Sequence, residues 1–175
     1  HEFKGGTGTA SRVLSEEEGG FTVGAIVQAN HGTREEFRVA GIPFGKLIKG
    51  YDMDIKHLEP KPGDGSIIVV VATDAPVLPW QLSKMCRRVS LGIGNLGGGY
   101  QNGSSYDSSE VTLLSDDKMD PIYRAVAQAV EEAIVNAMVA AEDMYGRNRN
   151  FIPALPHEEV ERILKDYEKM IEHLK

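Results

Sequence analysis

The chain has 175 residues, of which 41% are hydrophobic and 26% charged, and its formal net charge is -7. This length suits one domain with a buried core, and the balanced composition excludes a disordered, collagen-like or coiled-coil chain. A sequence pI near 5.3 argues against nucleic acid as the main partner. Because the chain has neither a signal-peptide pattern nor an apolar run of about 18 residues, we expect a cytoplasmic protein that does not span a membrane.

The first half of the chain is predicted to contain strands and loops. Residues 5–20 are rich in Gly, Thr and Ser, which we interpret as a loop. The β-branched run 21–29 predicts a strand, and residues 37–42 resemble its partner strand. Residues 67–72 are apolar without alternation, a pattern typical of a strand that is covered on both faces.

The second half is predicted to be mainly helical. Apolar residues at spacings of three and four predict helices over residues 77–91, 120–145 and 157–174. The glycine-dense stretch 92–103 is interpreted as a loop, and residues 111–114 as a short strand. The alanines of the middle helix make it slim enough to pack closely on a sheet or another helix. Strands and helices mixed without βαβ alternation favour a layered α+β fold.

Three features of the sequence suggest sites that we do not favour. Residues 92–97 match G-x-G-x-x-G, but a helix precedes them and more glycine follows, whereas dinucleotide binding needs the reverse order. The histidines form no metal set, and His157 opens an H-E-x-x-H-like stretch that lacks its second histidine. Cys86 is the single cysteine of the chain, so an internal disulfide is excluded. We interpret Cys86 as a structural thiol. We therefore expect no metal and no organic cofactor.

The pair Gly65-Ser66 carries the most informative chemistry. One interpretation is a plain turn before a strand. The other is self-cleavage, in which the serine hydroxyl attacks the preceding carbonyl and water then releases a new N-terminus. Glycine suits the preceding position because it tolerates strained backbone and leaves the carbonyl uncrowded. The freed Ser66 would carry an α-amino group with a pKa of roughly 7.7–8.0 beside its own hydroxyl, as in N-terminal nucleophiles.

Three other residues can assist such a serine. Asn30 follows the first predicted strand, so its amide can face a developing oxyanion, although a turn-forming asparagine is an equal alternative. Ser108 and Glu110 are two residues apart in an extended segment and so point the same way. That pair can orient a proton relay, or it can be a solvent-facing strand start.

Taken in order, five segments resemble the DmpA-type aminopeptidases, also called L-aminopeptidase/D-esterases or β-aminopeptidases. The segments are HEFKGGTGTASR, VQANHG, GDGSIIVVVATDAP with LPWQL, SSEVTLL, and the tail from EEAIVNAM to IPALPHEEV. The resemblance implies an αββα sandwich similar to Ntn hydrolases and ornithine acetyltransferases. It also implies cleavage between Gly65 and Ser66, with Ser66 as nucleophile and Asn30 as oxyanion donor.

The same resemblance implies the remaining site residues and partners. Ser108 and Glu110 match the family's serine and glutamate best, with Ser104 and Ser105 as alternatives for the serine. Residues 1–65 correspond to the end of an α chain and residues 66–175 to a β chain. The chain would then be the C-terminal half of a precursor whose N-terminal half completes the sandwich. The α-chain portion and a homo-oligomer of αβ units are the expected protein partners.

The function implied by this resemblance is a serine aminopeptidase. It would release N-terminal residues from short peptides and cleave amino-acid amides and esters through an acyl-enzyme on Ser66. Two alternatives remain open at this point. One is an acyltransferase of the ornithine acetyltransferase type, although those enzymes are expected to use threonine. The other is a truncated module without catalytic activity.

Overall fold

The computed structural model describes residues 1–55, 65–98 and 118–173. Its main sheet has three antiparallel strands in the order β1-β2-β3, and β4 and β5 form a small hairpin. The strands are β1 (Gly6–Val13), β2 (Thr22–Asn30), β3 (Ser66–Thr73), β4 (Met144–Tyr145) and β5 (Phe151–Ile152). The helices are α1 (Phe44–Leu47), α2 (Pro79–Asn95), α3 (Asp120–Val139) and α4 (His157–Glu172).

The prediction of a loop over residues 5–20 is wrong, because β1 occupies half of that range and pairs with β2 along its whole length. Its small residues serve close packing. A Cβ atom at Gly8 would lie 2.0 Å from the carbonyl oxygen of Ala133 in α3. Glycine is therefore required here by the approach of the helix to the strand, and not by a turn.

The strand predicted over residues 21–29 is confirmed as β2, but its predicted partner is wrong. Residues 37–42 contain only an isolated bridge between Val39 and Ile42, which closes a tight turn. Both edges of β2 are already paired, one with β1 and the other with β3. Phe37 is buried in the core instead of extending the sheet.

The strand predicted over residues 67–72 is confirmed as β3, whereas the expected burial of both its faces is not observed. Exposure alternates along the strand, and the side chains of Ile68 and Val70 are 67% and 56% exposed. The cross-strand register places Ile26 beside Val70 on this same side of the sheet. The sheet therefore has one face packed on helices and one face, called the open face below, that carries exposed apolar side chains.

The helices differ from prediction mainly at their ends. Helix α2 continues to Asn95, so the first part of the predicted glycine loop is helical. Gly92 is buried against α3, where a Cβ atom would lie 2.6 Å from the carbonyl oxygen of Ala127. Helix α3 ends at Val139 and not at residue 145, because Met144 and Tyr145 pair with β5. Helix α4 is confirmed close to its predicted bounds.

The core lies between the sheet and the helical layer. Helix α3 packs against β1, β2 and α2, as its alanine-rich sequence predicts. Its sheet-facing and helix-facing side chains are almost fully buried, namely Ile122, Ala125, Val126, Ala129, Val130, Ala133, Ile134, Ala137 and Met138. Within the described ranges, no helix combines the length and the apolar character that crossing a membrane requires.

Candidate active site

Ser66 and Asn30 lie directly opposite each other in the sheet. Ser66 is the first residue of β3, Asn30 is the last residue of β2, and the antiparallel register pairs them. Directly opposite residues in such a ladder have Cβ atoms about 4.5–5.5 Å apart and point to the same face. Both residues are exposed. The structure thus brings together the proposed nucleophile and the proposed oxyanion donor, which are far apart in sequence.

The Ser66–Asn30 pair points toward the open face of the sheet. Side chains alternate along a strand, so Ser66 shares its face with Ile68, and Asn30 shares its face with Gln28. The register places Gln28 directly opposite both Ile68 and Thr7. The candidate site therefore lies at one corner of the open face. The side chains at this corner are polar, and apolar side chains follow along the strands.

Gly65 lies tightly against the end of β2. A Cβ atom at this position would be 3.1 Å from the Cα atom of His31 and 3.2 Å from the carbonyl oxygen of Asn30. Such contacts are closer than ordinary van der Waals packing, so a larger residue would have to displace the turn by a few tenths of an ångström. The peptide bond between Gly65 and Ser66 is in this way held beside Asn30.

His31 packs on the opposite side of the sheet from the Ser66–Asn30 pair, where it lies against the end of α2. A Cβ atom at Gly98 would lie 2.8 Å from Cδ2 of His31, and the ring centroids of His1 and His31 are 5.0 Å apart. Burial lowers the pKa of His31 to about 4, and neither ring nitrogen has a hydrogen-bond partner among the described residues. The motif VQANHG led to a prediction for Asn30 alone, and His31 was missed. The signal for His31 in the sequence is its position directly after Asn30.

Arg34, three residues after His31, holds the backbone of residues 1–2 and of residue 51 in place. Its guanidinium donates hydrogen bonds to the carbonyl oxygens of His1, Glu2 and Tyr51, at 3.2, 2.9 and 2.7 Å, and stacks 3.6 Å from the centroid of the Phe3 ring. Burial lowers the pKa of Arg34. Three carbonyl acceptors and an aromatic face compensate much of the cost of burying this cation.

The other predicted site residues cannot be located in the same way. Ser108 and Glu110, and the alternatives Ser104 and Ser105, lie outside the described residues. Cys86 is exposed on α2. In the described parts of the chain, no three His, Cys, Asp or Glu side chains are grouped in a way that could hold a metal ion. The glycines at 92 and 94 lie inside a helix, which does not provide the strand-to-helix turn of a dinucleotide site.

Two curated relatives match most of the chain. The beta-peptidyl aminopeptidase BapA of Sphingosinicella microcystinivorans is 40% identical over 96% of this chain and 49% of that protein. The BapA of Sphingosinicella xenopeptidilytica is 39% identical over 94% of this chain and 47% of that protein. The chain thus spans about half the length of these relatives.

Several solved structures match the fold, and two of them are enzymes of known activity by name. A Burkholderia sp. beta-aminopeptidase has a TM-score of 0.76 and 38% identity, covering 95% of this chain and 50% of that chain. The L-aminopeptidase D-Ala-esterase/amidase of Ochrobactrum anthropi has a TM-score of 0.76 and 39% identity, covering 95% and 49% respectively. The latter is described as a prototype for the serine aminopeptidases and a new variant among the Ntn hydrolase fold. These likenesses confirm the predicted α+β fold of the Ntn-hydrolase type.

The DmpA-type resemblance is confirmed by the same findings. A family model for peptidase family S58 matches residues 1–152, which is most of the chain. Together with relatives at about 40% identity, this match establishes that the chain belongs to peptidase family S58.

Proposed function

We propose that this chain is part of a self-processing serine aminopeptidase with Ser66 as its nucleophile. The observation that carries the proposal is the cross-strand pairing of Ser66 with Asn30 on an exposed face of the sheet. It has support from the relatives, which are named as aminopeptidases and include a prototype of the serine aminopeptidases. The proposed substrates are short peptides and amino-acid amides and esters.

The first proposed step is cleavage of the chain itself. The Ser66 hydroxyl oxygen attacks the carbonyl carbon of Gly65, and the bond from that carbon to the Ser66 nitrogen breaks. The Gly65 acyl group is then an ester on the Ser66 oxygen, and the nitrogen has become a free amine. Water hydrolyses the ester, which leaves a Gly65 carboxylate and restores the hydroxyl. The end of β2 leaves little room for a side chain at Gly65, and the ladder pairs Ser66 with Asn30, so the peptide is held in place for this step.

The new amine then acts as the base in the hydrolysis of substrate. Its pKa of roughly 7.7–8.0 allows it to accept the hydroxyl proton near neutral pH while Ser66 attacks the substrate carbonyl. The Asn30 side-chain amide donates a hydrogen bond to the resulting oxyanion. The departing amine takes the proton, and water hydrolyses the acyl-enzyme. We propose that Ser108 and Glu110 orient these proton transfers, and that no metal or cofactor takes part.

The proposal also covers the partners of the chain. Residues 1–65 form the end of an α chain and residues 66–175 form a β chain, which stay associated after cleavage. An N-terminal portion of the same precursor packs on the open face, where Ile68 and Val70 are exposed. Removing these apolar side chains from water supplies a driving force for that association. We further propose that the resulting αβ units form a homo-oligomer in the cytoplasm.

Intact-mass measurement of the full-length protein and its Ser66→Ala variant tests the proposal. The wild type is expected to give two fragments, the lighter one beginning at Ser66, and to hydrolyse amino-acid amides. Ser66→Ala is expected to remain uncut and inactive. Ser11→Ala is the matched control, because Ser11 is exposed in β1 on the same sheet.

Three outcomes would count against the proposal. Cleavage and turnover by Ser66→Ala would exclude Ser66 as nucleophile. Full activity of an uncut wild-type chain would exclude the amine as base. Transfer of the acyl group to an added amine in place of water would favour the acyltransferase alternative.

A further inference from the structure

The imidazole of His31 is a buried polar group without a described partner. Its nitrogens Nδ1 and Nε2 are both shielded from water, and neither has a hydrogen-bond partner among the described residues. Buried polar groups of this kind are rare in folded proteins, and each calls for an explanation. A phenyl ring would fill the same space without two polar atoms, so packing alone does not account for a histidine here.

The described surroundings of this ring are uncharged or positive. Its edge formed by Cδ2 and Nε2 faces Gly98, whose Cβ position lies 2.8 Å from Cδ2 and 3.2 Å from Nε2, and Ile93 of α2 borders the same place. The ring of His1 is the other neighbour, with 5.0 Å between the two centroids. Burial lowers the pKa of His31 to about 4, and the positive backbone amine of His1 adds to this effect.

Gly65 lies on the same side of the sheet as this ring. Ser66 points to the open face, so the residue before it is directed to the opposite face. A Cβ atom at Gly65 would lie 3.1 Å from the Cα atom and 3.6 Å from the Cβ atom of His31. The Nδ1 edge of the ring is the edge turned away from Gly98, and Nδ1 is the ring nitrogen nearer to the backbone of its own residue. A group attached to Gly65 that turns to this side can therefore reach Nδ1.

We propose that His31 binds the carboxylate that self-cleavage creates at Gly65, with Nδ1–H as the hydrogen-bond donor. The ligand is the new C-terminus of residues 1–65. This inference rests on the proposed function, in which hydrolysis of the ester yields the Gly65 carboxylate, the Ser66 hydroxyl and one proton. In the uncut chain the same carbonyl carbon is tied into the peptide bond with Ser66, so the partner of His31 forms only when that bond breaks.

Binding at His31 moves the carboxylate to the opposite face of the sheet from Asn30. A carboxylate left beside Asn30 would accept a hydrogen bond from its side-chain amide, which is the proposed donor for the oxyanion of the substrate. Its transfer to His31 leaves that donor free and keeps the end of residues 1–65 next to Ser66. A hydrogen bond from a ring N–H to a carboxylate is charge-assisted, and burial strengthens it further.

NMR of the histidine ring nitrogens tests the proposal on the full-length protein, by comparing the cut wild type with the uncut Ser66→Ala variant. A carboxylate at hydrogen-bond distance favours the protonated imidazole, so the pKa of His31 is expected to be higher in the cut protein by about 1–3 pH units. The neutral ring is expected to carry its proton on Nδ1. The new amine of Ser66 cannot cause this rise, because a positive charge lowers the pKa of a histidine.

His31→Phe removes the donor and keeps a ring in the same space. This variant is expected to cut itself to the same extent as the wild type. Its KM for an amino-acid amide is expected to be about tenfold higher at unchanged kcat, the equivalent of one hydrogen bond, because the Gly65 carboxylate then competes for Asn30. His1→Phe is the matched control, since His1 belongs to the same cluster but packs over Gly32. It is expected to leave KM unchanged.

The outcomes separate this inference from the function on which it rests. A wild type that stays uncut would overturn both. A cut and active wild type in which His31 titrates as it does in Ser66→Ala would overturn only the role of His31. A His31 that titrates near 6.5 with its proton on Nε2 would overturn it too, because a ring that has simply become exposed behaves in this way. So would an unchanged KM in a folded His31→Phe variant.

Discussion

Gly92 provides a stability test of the interpretation that the glycine-rich stretch packs helices and does not bind phosphate. A Cβ atom at this position would lie 2.6 Å from the Ala127 carbonyl oxygen, whereas ordinary contacts begin at 3.4 Å. Gly92→Ala therefore requires a local shift between α2 and α3, and restoring an ordinary contact would take 0.8 Å. Overpacking of this kind costs about 1–3 kcal/mol.

Gly94, two residues further along α2, is the matched control. No described atom outside its own helix and its chain neighbours lies within 4 Å of a Cβ built there. Both substitutions gain the helix propensity of alanine over glycine, up to about 1 kcal/mol. The difference between the two variants therefore isolates the clash, and we expect Gly92→Ala to be less stable than Gly94→Ala by about 1–3 kcal/mol.

Urea denaturation followed by circular dichroism measures this difference in the free energy of unfolding. A Gly92→Ala variant as stable as Gly94→Ala would refute the close approach of the two helices. A loss of activity in Gly92→Ala at unchanged stability would refute the structural interpretation of this glycine in a different way, because it would indicate a direct role in the site.

Two further predictions concern the candidate site. Asn30→Ala is expected to reduce kcat by about 10²–10³-fold, because one oxyanion donor is lost. The free energy of unfolding is expected to stay nearly unchanged, because the side chain is exposed. A decrease in kcat of less than about threefold, measured by steady-state kinetics, would contradict the role of Asn30. His31 has a folded-state pKa of about 4 against 6.5 in the unfolded chain. The unfolded state therefore binds the extra proton between these values, and stability is expected to fall by up to about 3 kcal/mol as the pH drops from 6.5 to 4. Urea titrations of the uncut Ser66→Ala chain at both ends of this range should show the loss, and a smaller one when His31→Phe is added; equal slopes would refute the assignment to His31.

Much of the local structure could be predicted from the sequence because its apolar patterns are strong. The helices near residues 120 and 157 have clear periodicity, and the strands near residues 22 and 66 are continuous β-branched and apolar runs. The predictions were wrong where a glycine can indicate either a loop or a close contact between two elements. The small residues around Gly8 in β1 and Gly92 in α2 indicate loops, but these two glycines are required by the close packing of α3. The sequence alone does not distinguish a glycine in a turn from a glycine in a helix or strand that packs closely against a neighbouring element.

The nature of the candidate residues could also be predicted from the sequence, since Gly65-Ser66 and Asn30 have chemistry that fits a self-processing hydrolase. What the sequence alone determined is therefore which groups are available and in which elements they lie. Their juxtaposition is decided by the tertiary structure, because the ladder between β2 and β3 sets the register that pairs Asn30 with Ser66. The same register places Thr7 and Gln28 beside them, which no local pattern indicates, because strand pairing joins residues that are distant along the chain.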